Sequence, residues 1–306
     1  MKALVPTGRP DAMVELADRP VPVPQPGEVL VQVKAFSVNR GEIFLLEDPR
    51  PGALPGKDIV GRVVQAAANG IGPAAGQRVV GHPESGGWAE YAAVPVSSLT
   101  PIPRDFPGIQ AAALPLAGLT ALRLLRTAGN VTGRRILLTG ASGGVGHYLT
   151  ELAANAGAEV TAVTSSAQRG ERLTQLGAAA VIHDIADAAG PFDVVMESTG
   201  GKNVLLALDR LAHRGTLIWF GQASRTPATL SFFDLRDGPG SVTIRQFSYY
   251  DFDTPYGQDL AILVRLVATR RLHPEIGRVA DWSHTAATLT DLYQRRIRGN
   301  AVLTIP

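Results

Sequence analysis

The chain reads as an α/β protein in which a compact β-rich region precedes a doubly wound, mostly parallel sheet. Two observations carry this reading. A glycine-bearing turn stands between a short apolar run and a helical segment at residues 136–156, the layout of a strand–turn–helix unit. From Gln110 onward, apolar runs of strand length alternate with alanine- and leucine-rich helical stretches, the pattern of successive βαβ units. The first hundred residues instead show short strands between glycine and proline turns, without helical periodicity.

In chain order, residues 29–35 (VLVQVKA) alternate partly and are predicted as a strand after the loop PVPVPQPG. Residues 60–67, 78–81 and 88–94 follow as strands separated by glycine turns. Residues 111–126 (AAALPLAGLTALRLLR) are predicted as one helix with Pro115 near its start. Residues 136–138 are a run suited to a strand buried on both faces. The turn GASGGVG at 140–146 follows, and then a helix over 147–156 stopped by Gly157, which suits a left-handed C-terminal cap. Residues 160–163 close the unit as its second strand. Strands recur at 180–182, 193–196, 217–220 and 242–247, with an amphipathic helix at 258–271 and a terminal strand at 301–305.

The glycine turn is suited to a dinucleotide pyrophosphate. Glycines let the backbone approach the phosphates, and the following helix start offers free N–H groups and a positive dipole end. Ala141 occupies the first glycine position, so the match is AxGxxG rather than GxGxxG. The second strand ends in Thr164, Ser165 and Ser166, with Arg169 beyond and no acid before Glu171. A site selecting NAD places Asp or Glu there, about 20 residues past the glycines, to hold the ribose hydroxyls. Hydroxyls plus a guanidinium accept a 2′-phosphate that a carboxylate would repel. This predicts NADPH. The plainer reading has Ser165 and Ser166 capping the next helix and Arg169 on its wet face; capping and phosphate binding use the same helix end, so both can hold.

Composition narrows the rest. The chain has 306 residues, 45% hydrophobic and 18% charged, enough for two domains of soluble globular character. A formal net charge of +2 does not argue for nucleic acid. No run reaches the length of a membrane span and the start carries no signal-peptide pattern, so a cytoplasmic protein is expected. The complete lack of cysteine removes disulfides, thiol nucleophiles and cysteine-bearing zinc sites. The six histidines show no HxxxH or HExxH spacing, and no metal is predicted.

The order of segments PGEVLVQVKAFSVNRGE (26–42), PGKDIVGRVV (55–64), GQRVVG (76–81), GGWAEYAAVP (86–95), LPLAGLTAL (114–122), TGASGGVG (139–146), FDVVMESTGG (192–201) and RGNAVLTI (298–305) resembles the medium-chain dehydrogenase/reductase superfamily. Within it the chain is similar to the zinc-free NADPH:quinone oxidoreductase, zeta-crystallin-like branch, over essentially its whole length. The resemblance implies a GroES-like β domain formed by residues 1–110 with 255–306 and a Rossmann domain at 111–254. It also implies a substrate and nicotinamide that meet in the cleft between the domains. Zinc alcohol dehydrogenases carry a catalytic Cys near the position of Arg40, and a His-Glu pair where this chain has Lys57-Asp58. Many quinone reductases of this type carry a Tyr where this chain has Phe44.

Positions matching the family's pattern suggest roles. Asn39 either donates its amide to the substrate carbonyl or nicotinamide ribose, or forms the turn after its strand. Thr120 either lies beside the nicotinamide or is packing. Gly143, Gly144 and Val145 are expected to contact the pyrophosphate, Ser142 is a further cofactor-binding position, and Ser165, Ser166 and Arg169 are expected to meet the 2′-phosphate. Ser198 and Thr199 line the adenosine end, Phe220 and Gly221 the nicotinamide end, and Asn300 reaches the cofactor from the C-terminal segment. Phe44 and Trp88 offer an aromatic wall to a flat substrate, with core packing the plainer reading for Trp88. Glu42, His82 and Tyr249 are candidate proton donors, each with a buried structural role as its plainer reading. The lack of an evident general acid favours quinone or activated-enone reduction over simple ketone reduction. Enoyl-thioester or polyketide-type alkene reduction and non-catalytic NADPH binding are the alternatives. A homodimer is expected by resemblance, with 242–247 as the pairing edge.

Overall fold

The computed structural model describes residues 1–9 and 12–306. The chain divides into two compact units, Met1–Leu119 with Phe252–Pro306, and Thr120–Asp251. In chain order it forms β1 (Lys2–Pro6), β2 (Val14–Asp18), β3 (Glu28–Val38), α1 (Arg40–Glu47), β4 (Ile59–Gln65), β5 (Arg78–Gly81), β6 (Tyr91–Pro95) and β7 (Leu99–Pro101). After α2 (Gly108–Ala112) and α3 (Pro115–Ala128) come β8 (Arg135–Leu138), α4 (Gly144–Asn155), β9 (Glu159–Val163), α5 (Ala167–Gln175), β10 (Ala180–Ile182), β11 (Phe192–Glu197) and α6 (Lys202–Asp209). The course ends with β12 (Leu211–Trp219), α7 (Phe232–Asp237), β13 (Thr243–Gln246), α8 (Tyr256–Ala268), β14 (Ile276–Asp281), α9 (Thr285–Tyr293) and β15 (Asn300–Thr304).

The first unit is organised around β3, which pairs antiparallel with β4, β6 and the C-terminal β15. Eleven residues long, it has β4 on one flank and is long enough for β6 and β15 to share the other, each paired with a different stretch. Residues 28–32 meet β6, while 35–38 meet β15. Its inward Val29, Val31, Val33 and Phe36 pack with Ile59, Val79, Val94 and Leu303 in one apolar core, where burial of branched side chains supplies the driving force. β15 thus lies against β3, so residues near both ends of the sequence build one sheet.

The second unit holds six parallel strands in the order β10-β9-β8-β11-β12-β13. This is the doubly wound order whose direction reverses between the first and fourth strands, and ligands bind at the carboxyl ends beside that switch. Here the switch lies between β8 and β11. The helix after β8 stops as the sequence predicts, because Gly157 takes φ +88° beyond the last turn.

Several sequence expectations need correction. Residues 111–126 are not one helix: Pro115 opens a separate helix, its missing N–H falling where no intrahelical partner is needed, and the Leu114 carbonyl accepts the first bond, from Gly118 N at 2.8 Å. The β-rich region contains a helix, α1, which the turn-like NRGE run concealed. Trp88 precedes its strand, which begins at Tyr91. The strand predicted at 217–220 is longer, starting at Leu211.

Candidate active site

In the second unit the residues after β8 form a tight turn. Gly140 takes φ +64°, Gly143 N bonds the Gly140 carbonyl at 3.0 Å, and Ala141 N bonds Val163 O of the neighbouring strand at 3.1 Å. α4 then starts at Gly144, so Gly143, Gly144 and Val145 present the helix N-terminus. Gly146 is demanded by packing: a Cβ there would run into the backbone of Ala141. Ser142, in the turn, is buried.

The end of β9 lies beside this turn. Ser166 caps α5, its hydroxyl accepting from Arg169 N at 3.4 Å. The Arg169 side chain does not lie on the wet face of that helix; its Nε donates to Ser142 Oγ at 3.1 Å. The guanidinium selected from sequence and the turn serine therefore meet directly. Thr164, at the same strand end, is buried with its hydroxyl unpartnered among the described residues. Ser165 is exposed.

The adjoining β11 ends in Glu197, wholly buried. Its carboxylate accepts from Thr139 Oγ1 at 3.2 Å, from Thr199 N at 2.8 Å, from Gly200 N at 2.9 Å and from the Thr199 hydroxyl. Glu197 thereby shapes the loop that carries Ser198 and Thr199. Ser198 Oγ in turn donates to Thr139 O at 3.1 Å. Gly221 passes so close to Ser198 that a Cβ would crowd the Ser198 carbonyl, and Phe220 N bonds Glu197 O at 2.9 Å. Ser142, Ser198, Thr199, Phe220 and Gly221 thus cluster at the carboxyl ends of adjacent strands. Thr120 is buried, and its hydroxyl is also unpartnered among the described residues.

In the first unit the sequence-selected Asn39 belongs to a buried polar network centred on Asp58, which has no exposed surface. Asp58 accepts from the Ser37 hydroxyl, from Asn39 Nδ2 at 2.7 Å and from Leu116 N at 2.9 Å, and His82 Nδ1 lies 3.1 Å from it. A carboxylate offers about four acceptor positions, so these partners saturate it. Beside it, Glu42 accepts from Asn39 N at 2.8 Å and Lys57 N at 3.1 Å. Burial first, and the Asp58 charge second, push the Glu42 carboxyl up to about 8 against the pull of those two amides. Asn300, at the start of β15, is buried with Nδ2 on Glu275 O at 3.0 Å. Phe44 lies exposed on α1.

Family models match both parts of the chain: an alcohol dehydrogenase GroES-like domain over residues 25–104 and a zinc-binding dehydrogenase over residues 144–268. The chain is 35% identical to the chloroplast envelope quinone oxidoreductase homolog of Arabidopsis thaliana, covering 95% of this chain and 92% of the relative. It belongs to the medium-chain dehydrogenase/reductase superfamily, among its quinone oxidoreductases. A second relative, prostaglandin reductase-3 of Bos taurus, is 31% identical over 97% of this chain and 86% of its own. Among solved structures, a mycobacterial protein complexed with NADPH superposes with a TM-score of 0.90 at 26% identity, over the full length of both chains.

Membership in this superfamily makes the Asp58 network informative. The family resemblance sets Lys57-Asp58 at the position of the zinc-dependent members' His-Glu pair, and here the carboxylate is used up by hydrogen bonds inside the protein. Sequence reading passed over Asp58, Glu197 and Thr139 as site-building groups. The available signals were an acid at the end of a strand (Glu197) and, for Asp58, the Lys57-Asp58 pair that the family resemblance sets at the His-Glu position; the hydrogen bonds around each appear only on folding. One sequence assignment changes. Trp88 does not line a substrate wall: it is buried, stacks on Phe36 with centroids 5.6 Å apart and donates from Nε1 to Ser37 O at 3.1 Å. Glu42 and His82 are both buried beside Asp58.

Proposed function

We propose that the chain is a zinc-independent oxidoreductase that uses NADPH to reduce a quinone or an activated enone. The observation that carries the reading is the end of β9: hydroxyls and no carboxylate, with Arg169 drawn onto the Ser142 hydroxyl of the glycine turn. The residues suit the cofactor. The turn offers α4's N-terminal amides to a pyrophosphate, Arg169 and Ser166 suit a 2′-phosphate, and Thr120 and Thr164 hold buried hydroxyls without partners, of the kind a bound ligand completes. When bound, NADPH supplies a hydride to an electrophilic carbon.

The chain's own residues position and shield. Glu197 fixes the loop bearing Ser198 and Thr199, so their backbone does not have to be ordered at the moment of binding. The Asp58 network holds Asn39 on Ser37 and Asp58 and occupies the Asp58 carboxylate with hydrogen bonds. With no cysteine in the chain, this favours zinc-independent chemistry. Phe44 supplies an exposed aromatic face to a flat substrate. Glu42 and His82 are committed internally, so the proton that follows hydride comes from water, which quinones and activated enones tolerate. The quinone oxidoreductase names of relatives support the first substrate class, and the reductase name of the bovine relative the second.

The same reading includes a homodimer formed through β13. This strand ends the six-stranded sheet, and all four of its residues are exposed, leaving an edge open to a second copy.

The test is NADPH oxidation by the purified protein with a quinone and with an α,β-unsaturated ketone, NADH serving as control. Turnover with NADPH well above NADH supports the reading. NADPH binding with no reduction of either acceptor moves thioester reduction or a non-catalytic role ahead of it.

A further inference from the structure

On the first unit, β4, β5 and the segment after β7 bring three arginines around one cavity of about 360 Å³, lined by Arg62, Gln77, Arg78, Pro101, Ile102 and Arg104. Arg62 and Arg78 are direct cross-strand partners. Like charges so placed ordinarily destabilise a sheet. Among the described residues none of the three guanidinium groups has a carboxylate partner. Their hydrogen bonds go to neutral carbonyls. Arg78 reaches Pro103 O at 3.0 Å, Arg104 O at 2.6 Å and Phe106 O at 2.9 Å, and Arg62 reaches Gly76 O. The clamp from Arg78 holds the 103–106 segment and so fixes where Arg104 begins.

We propose that this cavity is an anion site for a phosphorylated small molecule bearing two or more phosphate charges. Three uncompensated guanidinium groups exceed what a single carboxylate neutralises, and planar forks match phosphate oxygens. The charges converge in a concave space at the lower end of small-ligand volumes rather than spreading as the stripe that nucleic acid requires. The site is separate from the Asp58 network. In the β4–β5 register Arg62 faces Arg78, whereas Asp58 and His82 adjoin the Ile59–Gly81 pair, about 13 Å further along the strand.

Calorimetric titration with inorganic pyrophosphate at fixed ionic strength tests it, using the full chain, the R62Q/R104Q variant and R169Q. The last variant perturbs the glycine-turn phosphate region and separates the two anion sites. The expected result is saturable binding that R62Q/R104Q weakens by about tenfold or more, the loss that follows removal of charge-assisted hydrogen bonds, and that survives in R169Q. R62Q by itself should also melt no lower than the parent, since it relieves the facing charges. Absence of saturable binding to the parent overturns the proposal. So does a titration unchanged in R62Q/R104Q, or one lost only in R169Q, which would place the anion at the glycine turn.

Discussion

Arg169 and Glu42 show how one side chain answers to its surroundings. Arg169 was legible in the sequence through the missing acid at the second strand end, yet its contact with Ser142 depends on the turn and α5 being adjacent. Arg169→Ala should raise KM for NADPH about ten- to hundredfold, the scale of charge-assisted hydrogen bonds, while KM for NADH moves little. Equal effects on both cofactors would sink the 2′-phosphate role. Glu42 carries a pH signature. Its carboxyl is raised from 4.5 to about 8 in the folded protein, so between those values the folded state holds a proton that the unfolded chain has released. Its contribution is complete below about 4.5 and is lost as pH rises through about 8. Thermal melts at pH 6 and 8.5 should show stability falling with pH, and Glu42→Gln should flatten that slope. An unchanged slope would show that Glu42 titrates normally.

Elements differ in how openly the sequence announces them. The β8–turn–α4–β9 unit was legible because its determinants are contiguous: an apolar run, glycines at fixed spacing, a helical stretch and a glycine stop. Gly146 belongs to this scale, since its missing Cβ lets α4 close onto the backbone of Ala141. Gly146→Ala should cost about 1–3 kcal/mol by overpacking and weaken dinucleotide binding, readable from melting temperature and from titration. Full retention of both would mean that the turn has slack. α1 and the break at Pro115 were missed for opposite reasons. NRGE looks like a turn, and α1 is helical because its Ile43 and Leu46 bury against the first unit's core. The alanine- and leucine-rich run around Pro115 looked continuous, and the ring's lost donor divides it.

At the scale of the molecule, β13 leaves a sheet edge whose residues are all exposed, with Ile244 38% accessible. The homodimer reading predicts a twofold mass at micromolar concentration by light scattering, and Ile244→Glu should shift the protein toward monomer. A parent that is already monomeric under those conditions would overturn the reading. Among the described residues no helix is long and apolar enough to cross a membrane. β15 shows a dependence no short window contains: it pairs with β3, more than 250 residues earlier, so the β3 sheet is completed only once both segments are present.

The sequence determined the parallel sheet, the glycine turn and the residue types at the end of the second strand, because turn geometry and strand burial depend on residues next to each other. It also determined, through the absence of cysteine, which metal sites the chain could not build. The tertiary structure decided the rest. Asp58 is saturated by groups from positions 37, 39, 82 and 116, Trp88 lies in a core assembled from separate strands, and Arg62 faces Arg78. Each of these is a contact between residues distant in the chain. Burial and hydrogen bonding are properties of pairs brought together by folding, so no local pattern encodes them.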